Sequence, residues 1–579
     1  MTEHRPWFAS YPEGVPATLE PYPEKSLYSL LEEAAERFGD RPALAFFGKH
    51  VTYAELKRQV ERFSAGLGSL GVGKGDRLGL LLPNCPQYVI AYYAAVRLGA
   101  VIVGNNPLYT RRELTHQLKD AGIEVLVVLD QLYPNVEPIR GEVGLREIVV
   151  TKLTDYMGFP LSVLAPLKFK RDAKHEGKPW PPVPKTAKVR GWKGLIRKAR
   201  DIPPVAEVNA KEDAAGFIYT GGTTGLSKGA MLSHHNLVAN AMQAAAWFPD
   251  LRGGADSIMC VIPFFHSYGM TVAMNIAIHK AAKIVMLPRF ELGLTLKTIQ
   301  KERPTLFPGV PRLYIAINES EETGNFDLKS IRACLSGAAP LPLAVAKKFQ
   351  AITGANVVEG YGLTETSPVT HANPIEKGAR EGSIGLPIPD TDCKLVDIDD
   401  PSKEVEPGQE GELCIAGPQV MLGYWNRKED TDEMIRTDEK GVRWLHSGDI
   451  AKMDEDGFFY IVDRKKDMIL VSGFNVYPTD VEQALYQHPA IEKVAVVGVP
   501  DDKTGEAVKA FVVLRKGEST SQEEIVKWAR NELTGYRAPK QVEIRDSLPE
   551  TMVGKVLRRV LVDEERKKQD AGAKEGSSS

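Results

Sequence analysis

Cysteine is scarce in this 579-residue chain: the five residues Cys85, Cys260, Cys334, Cys393 and Cys414 are far apart and odd in number. They suggest neither a disulfide framework nor a CxxC metal site, and a reducing cytoplasm is the setting they fit. Charge of one sign is missing too, since 73 Lys and Arg face 76 Asp and Glu for a net charge of −3. That balance argues against wholesale nucleic-acid binding. No apolar run is long and charge-free enough to span a bilayer, because the longest, "YVIAYYAAVRLGAVIVG", carries Arg97 in its middle. It reads instead as a buried helix leading into a strand. The amino terminus lacks the basic stretch and apolar core of a secretory signal. What is left, 43% hydrophobic and 26% charged, is a soluble globular chain too long for one domain.

What is present alternates between strand-like and helix-like segments. "PALAFFG" reads as a strand, and "VTYAELKRQVERFSAGLGSLG" as a helix opened by Thr52 and Glu55 at capping-box spacing. Its apolar residues Leu56, Val60, Phe63, Leu67 and Leu70 step by four, three, four and three, the period of one helix face. "RLGLLLPN" and "IEVLVVL" read as buried strands, with a helix opened by Thr110 and Glu113 between them. The alternation predicts a large α/β domain over residues 1–465, layered and mostly parallel, with room for a small β-barrel subdomain. Beyond it, short strands and helices opened by Thr479 with Glu482 and by Ser521 with Glu524 predict a small α+β domain over 466–562. The polar tail 563–579 is expected to be disordered.

Between residues 153 and 200 the pattern breaks down into a proline-interrupted insertion. From Lys168 to Arg200 there are twelve Lys and Arg against Asp172 and Glu176, a local excess of ten positive charges. Apolar Phe159, Leu161, Val163, Leu164 and Leu167 lie just ahead of them. The segment reads either as a solvated surface insertion or as a peripheral contact with anionic lipid.

The run "YTGGTTGLSKGAMLSHHN" at 219–236 concentrates backbone donors ahead of Lys228. Leu226 and Ser227 separate Gly225 from Lys228, so the register of the common phosphate loop fails. Gly225-Leu226-Ser227-Lys228-Gly229 matches the letters of a nucleophile elbow, yet Gly221, Gly222, Thr223 and Thr224 come between it and the preceding strand. A different phosphate cradle fits better: glycine backbone N–H groups, threonine hydroxyls and the Lys228 charge.

This run resembles the phosphate-binding signature of the adenylate-forming superfamily, which includes acyl-CoA synthetases, luciferases and peptide-synthetase adenylation domains. Further blocks match in order: "NNPLYTRREL" at 105–114, "PFFHSYGM" at 263–270, "SGAAPL" at 336–341, "EGYGLTETSP" at 359–368, "WLHSGDIA" at 444–451, "DRKKDMILVSGFNVYP" at 463–478 and "ETMVGKVLRR" at 550–559. The double glycine of the first loop, where Gly221 replaces the more usual serine, is most similar to bacterial long-chain fatty acid:CoA ligases.

The resemblance implies ATP-dependent ligation of a fatty acid to coenzyme A through an acyl-adenylate, with magnesium. It implies that Thr220, Gly221, Gly222, Thr223, Thr224, Gly225 and Lys228 hold the β- and γ-phosphates and that Glu365 holds the metal. Tyr361 would stack on adenine in a pocket lined by Gly337, Ala338, Ala339, Glu359, Gly360 and Gly362, with Thr364 on the α-phosphate. Asp449 would accept the ribose hydroxyls, a task suited to an acceptor-only carboxylate, and Arg464 would close on them. His266 would lie near the substrate carboxylate, and Lys555 would bridge that carboxylate and the α-phosphate. A mobile small domain would then rotate about Lys466 to bring Ser472, Gly473 and Phe474 to the coenzyme A tunnel. Taken singly, these residues read equally as a surface acid, a packed histidine or a solvated lysine; the ordered set of blocks carries them. An aryl-CoA ligase of the 4-coumarate type shares nearly every block, and a non-catalytic nucleotide-binding protein is the reading from another class. Expected partners are small molecules, with a lipid surface and a second copy of the chain as further candidates.

Overall fold

The computed structural model describes residues 5–175, 188–199, 201–220, 227–375, 378–472, 474–501, 503–533, 535–551 and 555–576. The helix Tyr53–Ser69 forms as its sequence dictates: Thr52 and Glu55 cap each other reciprocally, and Leu56, Val60, Phe63 and Leu67 are wholly buried. Thr110 with Glu113 and Ser521 with Glu524 do the same for Arg111–Asp120 and Gln522–Glu532. The buried helix Pro86–Arg97 runs into the strand Val101–Gly104, and Arg97 is accommodated by bonds to the Ser64 hydroxyl and the Pro203 carbonyl, with its guanidinium over Tyr28.

Two large sheets organise the first domain. One has eight strands, in which Arg77–Leu81, Val101–Gly104, Val125–Leu129, Glu147–Thr151 and Val189–Gly191 pair in parallel and Ala214–Thr220 joins them alongside Val101–Gly104. Lys228–Ser233 then returns antiparallel on Ala214–Thr220, and Gly423–Tyr424 caps that edge. In the second sheet Pro42–Phe46, Lys283–Met286 and Ser257–Cys260 pair in parallel, and bridges through Leu306 link them to Ala333–Ser336 and Asn356–Gly362.

A third, antiparallel sheet holds Asp392–Val396, Gly411–Ala416, Arg443–Met453, Ile435–Thr437 and Phe459–Arg464. Among the described residues its strand order stays open, so it does not close into the small barrel that the sequence left room for. The small domain has its own core around Val476, Val481, Ile491, Val496, Ala510 and Ile525.

The structure corrects three local readings. Thr479 does not cap its helix: Pro478–Tyr486 begins one residue earlier, the Thr479 N–H donates to Asp463, and Glu482 accepts from the Val496 N–H. The tail expected to be disordered continues as the helix Arg558–Gly576. Its first turns are tied down because Leu561 is buried and Glu565 pairs with buried Lys509 at 2.8 Å. Within the insertion, Leu161–His175 and Trp192–Lys198 are helices, while residues 176–187 and 200 lie outside the described set.

Candidate active site

The glycine- and threonine-rich run is the connection of a β-hairpin. Thr220 ends one strand and pairs in register with Lys228, which begins the next. Ser227 therefore leads into a strand rather than a helix, which removes both the nucleophile elbow and the phosphate loop that opens a helix. Gly221, Gly222, Thr223, Thr224 and Gly225 lie outside the described residues. Lys228 forms an ion pair with Asp430 and places its ammonium 5.4 Å from the centre of the Tyr424 ring. The same tyrosine donates its hydroxyl to Glu365 Oε1 at 2.5 Å. Tyr424 reaches both because Gly423–Tyr424 pairs with the Lys228 strand. Glu365 is buried in the turn Thr364–Thr366, and among the described residues its Oε2 takes no hydrogen bond. No group of three or more potential ligands gathers among the described residues. One carboxylate with a free oxygen suits magnesium, which keeps several waters and takes phosphate oxygens to complete its shell.

The residues expected to hold the nucleotide converge at the ends of the second and third sheets. Asp449 is buried and accepts Tyr361 Oη at 2.5 Å and Arg464 Nε at 2.9 Å. Asp449 and Arg464 face each other because their strands pair in register. The Asp449 charge holds the Arg464 guanidinium above its ordinary pKa, and burial followed by Asp449 does the same for the Tyr361 hydroxyl. Glu359 receives the Leu341 N–H at 3.2 Å, and burial raises its carboxyl to about 7. Beside it Gly337 packs against the Tyr268 ring, and Ala338 holds a φ of 70°, a left-handed conformation uncommon for alanine. Gly362 is obligatory, since a Cβ there would lie 1.9 Å from the Pro368 carbonyl oxygen. Gly360 and Ala339 lie in the same two stretches.

A third group approaches from the "PFFHSYGM" block and from the small domain. His266 Nδ1 accepts the Tyr268 N–H at 3.3 Å. Burial and then the Lys555 charge lower His266 to about 4, so its imidazole is neutral near neutral pH. Ser267 Oγ lies 3.3 Å from Thr364 Oγ1, joining this block to the turn that carries Glu365. Tyr268 donates to the Leu335 carbonyl at 2.5 Å. The chain then enters a π-helical stretch, Gly269–Asn275, a feature that often accompanies functional sites.

Lys555 lies within electrostatic reach of Arg464, Asp449, Lys466, Asp467 and His266. It retains solvent access, yet desolvation and then the Arg464 charge lower it to about 8. Its backbone N–H donates to Thr551 Oγ1 at 3.1 Å. Arg558, three residues on, donates to both carboxylate oxygens of Glu482, at 3.1 Å and 2.7 Å, and to Asp467 at 3.3 Å. That clamp fastens the lysine-bearing segment to the residue beside Lys466, whose own ammonium burial lowers. Gly473 lies outside the described residues; Ser472 bonds Thr504 and Phe474 stacks on Tyr536, both within the small domain.

Sequence reasoning missed Tyr424, Ser267, Asp430 and Arg558. Tyr424 is 59 residues from Glu365 and Asp430 is 202 from Lys228, so only strand pairing reveals them. Arg558 stood in the "GKVLRR" block without a role.

The model of the AMP-binding enzyme family matches residues 31–425, and that of the AMP-binding enzyme C-terminal domain matches 480–555. The chain belongs to the AMP-binding enzyme family. Its AMP-binding region contains Thr220, His266, Glu365 and Tyr361, and the C-terminal match ends on Lys555. A long-chain-fatty-acid–CoA ligase of Bacillus subtilis (strain 168) is 43% identical over 98% of this chain and 99% of its own. Among solved structures, ATP-bound MatB from Rhodopseudomonas palustris aligns with a TM-score of 0.79 at 28% identity, over 93% of this chain and 99% of its own. The apo form of MatB, with the same identity and coverage, aligns at 0.69. No described helix of this AMP-binding enzyme is long and apolar enough to cross a membrane.

Proposed function

We propose that this AMP-binding enzyme joins a long-chain fatty acid to coenzyme A through an acyl-adenylate, consuming ATP and releasing AMP and pyrophosphate. The observation that carries the reading is the bonding of buried Asp449 to both Tyr361 and Arg464, with Lys555 of the small domain within electrostatic reach of that cluster and of His266. The better match to the ATP-bound than to the apo relative supports the same orientation.

In this reading a carboxylate oxygen of the acid attacks the α-phosphorus of ATP, and the bond to the bridging oxygen breaks as pyrophosphate leaves. Negative charge builds on the entering and non-bridging oxygens, where the Lys555 ammonium stands. Thr364 donates to the α-phosphate, and neutral His266 lines the carboxylate side. Asp449 exchanges its bond from Tyr361 for the ribose hydroxyls, which frees Tyr361 to lie on the base between Glu359 and the Gly337–Ala339 backbone. Thr220 and Lys228 hold the outer phosphates, Lys228 giving up Asp430 to do so. Bound at Glu365, magnesium would neutralise phosphate charge.

The second half-reaction is attack of the coenzyme A thiol on the acyl carbonyl with AMP leaving, after the small domain turns about Lys466 and brings the Ser472–Phe474 turn inward. We place the enzyme in the cytoplasm with access to a lipid surface. Coenzyme A-dependent AMP release is measured across acids from acetate to octadecanoate and across cinnamates. Preference for long-chain acids is expected, and preference for cinnamates would replace the fatty-acid reading with the aryl one.

A further inference from the structure

The helix Leu161–His175 turns its apolar side the wrong way. Ala165 and Phe169, one helical turn apart, pack on the main core. On the side away from them, Val163, Leu164 and Leu167 are 62%, 54% and 68% exposed, and Phe159 just before the helix is 88% exposed. Leu161 at the helix start is 43% exposed. Elsewhere the described exposed large hydrophobics fall singly or in small sets, whereas here five lie within nine residues. A contiguous apolar surface of this kind marks a contact rather than a solvated face.

Its flanks indicate what covers it. Lys168, Lys170 and Arg171 are exposed on the same helix, among and beside the exposed apolar residues. These cations cluster in a chain whose total charge is −3. Apolar side chains framed by cations complement an anionic lipid surface, where acyl chains take the former and phosphate headgroups the latter.

We propose that the helix Leu161–His175, with Phe159, is a peripheral docking element that seats the protein on anionic membrane. The helix has too much charge and too little length to span a bilayer and lies in the headgroup layer instead. Nothing in this contact requires the catalytic residues, so it stands or falls separately from the ligase reading.

The test is co-sedimentation of the full chain with phosphatidylcholine vesicles, with and without phosphatidylglycerol, at low and high salt. Binding is expected only with the anionic lipid and is expected to weaken with salt. Leu164→Asp with Leu167→Asp should reduce the partition coefficient at least about tenfold, given the apolar area withdrawn. Lys168→Gln with Lys170→Gln should also reduce it about tenfold or more, and Val205→Asp, an exposed apolar control elsewhere, should not. Turnover of soluble octanoate without vesicles should be the same in all of these variants, which shows that they are folded. Equal binding to neutral vesicles, salt-independent binding, or full binding by the L164D/L167D protein would overturn the proposal. So would loss of self-association in vesicle-free solution by that variant, which would identify the face as a contact between copies.

Discussion

Raising the pH through the Lys555 titration separates the two half-reactions. Desolvation and the Arg464 charge lower this ammonium to about 8. In the proposed reaction the charged form meets the developing negative charge, so adenylation should fall as pH rises through that value. The ammonium is about nine-tenths populated at about pH 7 and about one-tenth at about pH 9, so kcat/KM for ATP drops about tenfold between them. Stability moves the other way. A lysine depressed below its unfolded value binds fewer protons when folded, so its contribution improves between about 8 and 10.5. A solvent-reached group makes that effect small, and unfolding therefore does not explain the lost activity.

The assay is acid-dependent exchange of labelled pyrophosphate into ATP, read beside thioester formation from supplied acyl-adenylate. Lys555→Arg keeps the charge at all these pH values and should lose the alkaline limb. Lys555→Met should cost about a hundredfold or more in the exchange, the range for removing one preorganised donor. It should leave the thioester step nearly unchanged. An alkaline limb that persists in K555R, or equal loss of both steps in K555M, would refute the assignment of Lys555 to adenylation alone.

Further expectations attach to other residues. Asp430→Asn releases Lys228 from its ion pair, and a lower KM for ATP with kcat little changed is expected in steady-state kinetics. Tyr424→Phe leaves Glu365 Oε1 without its hydroxyl donor; a changed magnesium dependence of pyrophosphate exchange, with the thermal midpoint within a few degrees, is the outcome. Buried His234 and His371 are depressed to about 4 and about 3 by desolvation. Unfolded, they would bind protons from about 6.5 downward, so stability should fall as pH drops from about 6.5 to about 4, measured as thermal midpoints. All five cysteines are buried, and burial raises each thiol. The native protein should show no fast thiol titration, and all five should react once it is denatured.

The large domain was legible where periodicity and caps agree, as in Tyr53–Ser69 with its Thr52 and Glu55 box. The capping signal misled at Thr479, because a side chain from the neighbouring strand, Asp463, takes the N–H that a local cap would have competed for. The tail was misread because its composition is polar throughout; what orders its first turns is one buried leucine and ion pairs to strands far away in sequence. In the site, Asp449 and Arg464 were both legible from their blocks, but their mutual bond depends on strand register. Tyr424 had no local signal at all, since its partners come from two other segments. Ser267 stood inside a named block, and its role appears only where Thr364 faces it.

In the proposed reaction a carboxylate oxygen attacks the α-phosphorus, and isotope transfer tests that step directly. Hexadecanoate labelled with oxygen-18 in its carboxyl group is turned over with ATP and coenzyme A, and the nucleotide product is weighed by mass spectrometry. Passage through an acyl-adenylate predicts AMP carrying one labelled oxygen and unlabelled pyrophosphate. Label in inorganic phosphate with unlabelled nucleotide would contradict it.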